Sequence, residues 1–304
     1  MTKTNNVKKI NKSHLAEQLP FAILLAPFVI LFFLFILLPI FSSVVLSFFN
    51  FDMVSFPKFA GFSNYVRMFL DDEIFLITLK NTILLAVLTG PAGFLLSFVL
   101  AWFINEFSPA VRTVLSFMFY CPSLVGNAYY IWQVFFSNDR YGYANSILLS
   151  MNLITEPISW MKDPQYIIPI IVIVQLWMSM GVSFLANISG LQNINDEMYE
   201  AGAIDGIRNR WQELWFITLP AMKHMLLFSA VMQIASSFSM GGICVALVGY
   251  PSVNYTADTI VSYLNDVGTV KYEMGYACAI SVFLFLLLVV TRGLIGRLLE
   301  RVGK

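Results

Sequence analysis

Glu200-Ala201-Gly202-Ala203-Ile204-Asp205-Gly206 runs on through Trp211 and Trp215 to Leu219-Pro220, and its setting decides the fold. The stretch 193–220 carries Asp196, Glu197, Glu200, Asp205, Arg208, Arg210 and Glu213, yet it is flanked by long apolar runs. Charge at that density is expensive in hydrocarbon. The segment therefore lies outside a bilayer that its neighbours cross. Composition agrees: 58% of the 304 residues are hydrophobic and 12% are charged. A soluble domain carries roughly a quarter charged residues. A mean hydropathy of +0.75 also marks a polytopic membrane protein.

Working outward, six runs can each supply the ~20 mostly apolar residues of a spanning helix. They cover 21–49, 77–104, 114–136, 167–191, 225–248 and 276–295. Gly90-Pro91 is expected to kink the second, because proline lacks the amide donor and crowds the preceding turn. The first run is too long for a signal-peptide core of roughly 7–15 residues, so it is read as a span. With the N-terminus inside, twelve Lys and Arg fall in inner segments and six in outer ones. That bias places both termini and the 193–220 segment in the cytoplasm. The expected fold is all-α, with six transmembrane helices in a single domain over 1–304 and three outer loops near 50–76, 137–166 and 249–275. Those loops are rich in aromatic residues, which serve either function or interfacial anchoring.

Within 193–220, Asn193 is a candidate N-cap for a helix with Asp196 and Glu197 in its first turn. Gly206 suits a left-handed stop. A second helix from about Asn209 places Trp211, Leu214, Trp215 and Thr218 on one face, expected to pack on the bundle. Pro220 is expected to end it. The opposite face offers Glu200, Ala201, Gly202 and Ala203 to a partner, Glu200 being a carboxylate for an arginine. An interfacial amphipathic helix is the plainer alternative, but such helices are basic and this one is more acidic.

Polar side chains at membrane depth face a bundle interior. The candidates are Asn127, Tyr130 and Gln133 in the third span. The fourth offers Gln175, Trp177, Ser179 and Ser183. The fifth offers Gln233, Ser236, Ser237 and Ser239. Gln175 with Ser179, and Gln233 with Ser237, share helix faces at i, i+4. Against each stands local hydrogen bonding to its own helix. Met240-Gly241-Gly242 interrupts the fifth span and permits a bend or close packing. Cys121, Cys244 and Cys278 lie in apolar runs and are read as small hydrophobes. His14 and His224 are isolated, so no metal site is expected. No G-x-x-x-x-G-K-[ST] loop occurs for phosphate. The balanced net charge points away from nucleic acid.

Glu200-Ala201-Gly202, Asp205-Gly206 and Ile217-Thr218-Leu219-Pro220 resemble the EAA loop of binding-protein-dependent ABC importer permeases. Further matches follow in the right order. They are 61–69 (Gly-Phe-Ser-Asn-Tyr-Val-Arg-Met-Phe), Lys80-Asn81-Thr82, Trp160-Met161-Lys162-Asp163-Pro164, Gly190-Leu191-Gln192 and Met274-Gly275-Tyr276-Ala277. Together they are similar to the maltose-permease-like class across nearly the whole chain. Departures are Gly202 for the usual alanine, Ile207 after Asp205-Gly206, and one extra residue before Pro220.

The resemblance implies the type I importer permease fold and a non-catalytic subunit in a bacterial inner membrane. ATP and Mg²⁺ would be used by two cytoplasmic ABC ATPase subunits. A second homologous permease would complete a heterodimer, and an extracytoplasmic solute-binding protein would deliver a carbohydrate, expected to be an oligosaccharide. Glu200, Ala201, Gly202, Asp205 and Gly206 would dock on the ATPase. Asp205 is equally suited to capping the turn locally. Rival readings are a permease for a polyol or glycerol-phosphate-type solute, a membrane enzyme, and a secondary transporter. A membrane enzyme calls for His, Asp or Glu converging at one membrane face, and a secondary transporter for intramembrane acids or paired broken helices; neither set is read from the spans.

Overall fold

In the computed structural model, which describes residues 20, 21 and 23–301, the chain is mainly helical. The helices, in order, are α1 (Ile23–Leu46), α2 (Ser63–Leu70), α3 (Glu73–Asn105), α4 (Pro109–Leu124), α5 (Tyr130–Phe135), α6 (Tyr143–Ser150) and α7 (Pro164–Met178). Then come α8 (Val182–Gln192), α9 (Asp196–Ile204), α10 (Arg210–Ala221), α11 (Lys223–Phe238), α12 (Gly241–Val248), α13 (Ile260–Asn265) and α14 (Met274–Arg301). A small antiparallel pair, β1 (Phe49–Asn50) with β2 (Lys58–Phe59), was not anticipated. The basic residues Lys3, Lys8, Lys9, Lys12 and Lys304, and His14, lie outside the described residues.

Among the described residues, three single helices are long and apolar enough to cross a membrane: α1, α3 and α14. Counting bent pairs raises that number to as many as five. One pair is α7 with α8, bent by 45° across Ser179–Gly181. The other is α10 with α11, bent by 81° at Met222, where the charged segment turns into the bundle. The expected third span is divided between α4 and α5, with Pro122 near the break. The expected fifth is divided between α11 and α12. Gly241 there is a packing glycine, because a Cβ would stand 2.8 Å from Val261 Cβ.

Local chemistry sets the boundaries. Asp72 caps α3 by accepting from the Phe75 amide at 2.9 Å, and Asp163 caps α7 at Gln165 with Pro164 at the first helical position. The 33 residues of α3 run unbroken through Pro91, spanning ~50 Å at 1.5 Å per residue. Its small and hydroxylated residues Thr82, Thr89, Gly90, Gly93 and Ser97 are buried. That face lets α8 and α11 approach closely, and these three helices form the packed centre. By contrast α1 is almost wholly exposed, meeting α14 along its second half, as a lipid-facing helix would. Apolar clusters continue the centre at both ends. Phe98, Phe184, Leu191, Leu214 and Met222 gather near the charged segment. Met68, Phe75, Tyr263, Tyr276 and Ile280 gather at the opposite end.

Candidate functional site

The charged segment forms two helices folded on each other. Asn195, rather than Asn193, caps α9, its side chain accepting from the Glu197 amide at 3.2 Å. Asn193 instead closes the end of α8. Gly206 takes φ +97°, and Gly206 N–H donates to Ala203 O while Ile207 N–H donates to Gly202 O. That is a Schellman closure, with Ile207 packing back over Gly202. Asn209 caps α10 as expected, accepting from Gln212 at 2.9 Å.

Gly202 is buried, which corrects its expected place on the open face. A Cβ there would come within 2.6 Å of Ile217 Cδ1 and 3.1 Å of Ile207 Cδ1. Glu200, Ala201, Ala203, Ile204, Asp205 and Gly206 are exposed, Ile204 to 87%. The Asp205 carboxylate makes no hydrogen bond among the described residues; its backbone closes the helix.

The expected aromatic inner face is also corrected. Leu214, Ile217 and Thr218 are buried, whereas Trp211 and Trp215 are 63% and 61% exposed. The buried stripe is Leu214, Ile217 and Thr218, again at i, i+3, i+4 through a π-helical turn at Leu214–Thr218, and both tryptophans lie beside it. Trp211 rests on Trp102 of α3 at 5.4 Å, and Tyr199 meets Thr218 at 3.0 Å. The helix also continues through Pro220 and breaks at Met222.

The intramembrane candidates separate into two groups. Gln175, Ser179, Gln233 and Ser237 are buried in the seam between α3, α7, α8 and α11, with half-buried Ser236. Gln175 Nε2 donates to Ser236 O at 3.3 Å and Oγ at 3.2 Å. Ser183 Oγ donates to Gln233 Oε1 at 3.2 Å. Ser179 bonds the carbonyl of Leu176, and Ser237 that of Gln233. Asn187 Nδ2 extends the row to Ser97 Oγ at 3.3 Å. Neither residue had been singled out, although Gln175, Ser179, Ser183 and Asn187 repeat every four positions. Three amide atoms in the seam lack partners: Gln175 Oε1, Asn187 Oδ1 and Gln233 Nε2. Gly93 admits Gln233, since a Cβ there would be 2.0 Å from Nε2.

Asn127, Tyr130, Gln133 and Trp177 stand apart from this seam. The first three are exposed around the α4–α5 break, where Asn127 accepts from the Tyr129 hydroxyl at 2.9 Å. Trp177 meets Trp132 edge to face at 5.6 Å. Near them Tyr129, Tyr130, Tyr250, Asn265, Asp266 and Thr269 line a cavity of about 340 Å³. Burial raises the Tyr250 phenol above its ordinary range.

A buried carboxylate at the end of α3 escaped the sequence reading. Asp72 accepts from the hydroxyls of Tyr263 at 2.5 Å and Tyr276 at 2.6 Å. Burial pushes its pKa up, but those hydroxyls, the Phe75 amide and Arg67 together hold it below the ordinary carboxylate value. Arg67 lies 4.2 Å from the Tyr276 ring centroid and pairs with Glu273 at 2.7 Å. Only the fold brings the two tyrosines to Asp72, from 191 and 204 residues away in sequence.

A family model described as "Binding-protein-dependent transport system inner membrane component" matches residues 82–304. The chain is 31% identical over 267 residues to the arabinooligosaccharides transport system permease protein AraP of Bacillus subtilis (strain 168), covering 87% of this chain and 83% of that one. It is 34% identical over 210 residues to the lactose transport system permease protein LacF of Rhizobium radiobacter, covering 68% of each. Its fold superposes with a TM-score of 0.79 on a chain of a bacterial alginate ABC transporter crystallised in complex with alginate pentasaccharide-bound periplasmic protein. That likeness is 23% in sequence and covers 96% of this chain and 98% of that one.

Proposed function

This chain belongs to the binding-protein-dependent transport system inner membrane components, and on that premise we propose that it carries a carbohydrate inward as one permease subunit of an ATP-driven importer. The relatives named for arabinooligosaccharides and lactose support a sugar cargo, and an oligosaccharide in particular. A phosphate-bearing cargo would favour Arg or Lys along the spans, and the sugar reading needs none.

The observation that carries the proposal is the folded segment 196–221. Its inner face is closed by Gly202, Ile217 and Thr218, while Glu200, Ala201, Ala203, Ile204 and Asp205 stand outward together. We assign that outward patch, turned by Gly206 and supported from within by Gly202, to docking on a cytoplasmic ATPase. ATP and Mg²⁺ would be used there, with this chain non-catalytic. Six crossings, cytoplasmic termini, a second homologous permease, two ATPase subunits and an extracytoplasmic binding protein complete the proposal. The periplasmic protein captured with the alginate transporter supports the last of these.

For the cargo, we assign the sugar-facing surface to Asn127, Tyr130, Gln133 and Trp177 and the adjoining cavity with Tyr250, Asn265 and Asp266. Tyrosine faces suit the apolar faces of a sugar ring, and amides and carboxylates suit its hydroxyls. Gln175, Ser179, Gln233, Ser236 and Ser237 form the hydrogen-bonded wall behind that surface. Its amide atoms without partners keep binding capacity in reserve for a conformation in which the seam opens.

The test is Glu200→Lys. With the wild-type chain purified alongside its ATPase, the variant is expected to lose the ATPase and sugar uptake together while keeping its own melting temperature. Undiminished assembly and uptake would overturn the docking assignment.

A further inference from the structure

We propose that Arg210 is the joint through which movement of the docking segment reaches α3 and the start of α4; this rests on the reading of 196–221 as the segment that an ATPase moves. Helices α9 and α10 behave as one knuckle. Ile217 fills the space over Gly202, Tyr199 bonds Thr218, and the Schellman closure fixes the turn between them. A push on α9 is therefore passed to α10 with little loss.

From α10 the chain itself leads only to α11, through the 81° bend at Met222. A second connection is made by side chains. Arg210 Nη2 donates to Glu106 Oε2 at 2.7 Å, at the end of α3. Its Nη1 donates to Glu213 Oε2 at 2.8 Å, one turn along α10. The next residue, Trp211, rests on Trp102. Residues 102 and 106 are four apart, so two adjacent residues of α10 grip one face of α3. Arg112 at the start of α4 donates to Asn105 Oδ1 at 2.8 Å, so α4 is bound to the same end of α3.

The grip spans open space. A polar cavity of about 630 Å³ lies beneath it, lined by Asn105, Arg112, Gln192, Asp196 and Tyr199 as well as the three ion-paired residues. Apolar packing of Leu214 with Phe98 couples the two helices deeper in the bundle, and at the rim, over the cavity, the Arg210 fork is the polar link between them. The guanidinium is suited to the task because its planar fork reaches two carboxylates at once, as a lysine ammonium cannot in the same geometry. The ion pairs are exposed, and exposed pairs contribute little to folding stability. Arg210 is thus a positioning residue whose loss separates coupling from folding.

The experiment uses the full importer in proteoliposomes, with its ATPase and sugar-loaded binding protein, and reads sugar taken up per ATP hydrolysed. Arg210→Ala and Glu106→Gln are expected to assemble like wild type and to lower that ratio by about fivefold or more, the low end of coupling between distant sites. The double variant is expected to be no worse than Arg210→Ala, since both remove one bond. Arg210→Lys should recover part of the loss. An unchanged ratio in Arg210→Ala, or an additive loss in the double variant, would overturn the proposal. Loss of the ATPase from Arg210→Ala would overturn it too, making Arg210 a docking residue. If the wild-type chain assembles with no ATPase, the functional reading fails and the joint with it.

Discussion

Asp72 shows what a single side chain can do at the end of the bundle away from the charged segment. Its carboxylate collects two tyrosine hydroxyls and a backbone amide, joining α3, α13 and α14. Hydrogen bonds to a charged acceptor contribute about 1.5–3 kcal/mol each, and a buried donor left unpaired costs a similar amount. Asp72→Asn is therefore expected to lower the melting temperature at neutral pH. The sign with pH follows from the lowered folded-state pKa. The stabilisation is complete above the unfolded value of about 3.9 and disappears as the pH falls through the folded value. The gap in melting temperature between wild type and Asp72→Asn should hold down to about pH 4 and close only below it; a gap that stays constant well below that pH would contradict the assignment. Gly93 is the second residue-scale case. Gly93→Ala places a methyl where Gln233 Nε2 now sits and should destabilise by about 1–3 kcal/mol, as overpacked cores do. Adding Gln233→Ala should return most of that loss in thermal melts, because the two changes share one space.

At the scale of elements, caps and turns were legible where their chemistry is local. Gly206 and Asn209 play the parts their types suggest, because a left-handed stop and an N-cap need nothing from distant residues. The choice between Asn193 and Asn195 was not local. The end of α8 takes the first, leaving the second to cap α9. Asn195→Ala should cost about 1 kcal/mol and Asn193→Ala much less. Circular dichroism melts of the purified subunit would compare them, and equal losses would contradict the cap assignment. The tryptophan face failed for a physical reason. Spacing marks a stripe without saying which of two overlapping stripes meets the bundle, and packing takes Leu214, Ile217 and Thr218 inward rather than Trp211 and Trp215. The seam was half legible, since Gln175 and Gln233 stood out as amides in apolar helices. That they would be buried against Ser236 and Ser183 depends on how α3, α8 and α11 pack.

For the whole molecule, hydropathy revealed a polytopic membrane chain, and the ordered motifs revealed its family. Span continuity was less legible. Proline and glycine within 114–136 and 225–248 divide those runs into shorter helices, whereas Pro91 leaves α3 whole. In the proposed mechanism the outward patch at 200–205 would receive force from the ATPase, and the α9–α10 knuckle would pass it to α11 through the chain and to α3 through Arg210. Breaks in the helices near the proposed cargo surface are where such movement can be absorbed. The most direct measurement is ATP-dependent sugar uptake by the reconstituted importer, comparing wild type with Glu200→Lys. The account predicts uptake that requires ATP in the wild type and is abolished, with loss of the bound ATPase, in the variant. Uptake by this chain without ATP, or equal ATP-driven uptake by both proteins, would contradict it.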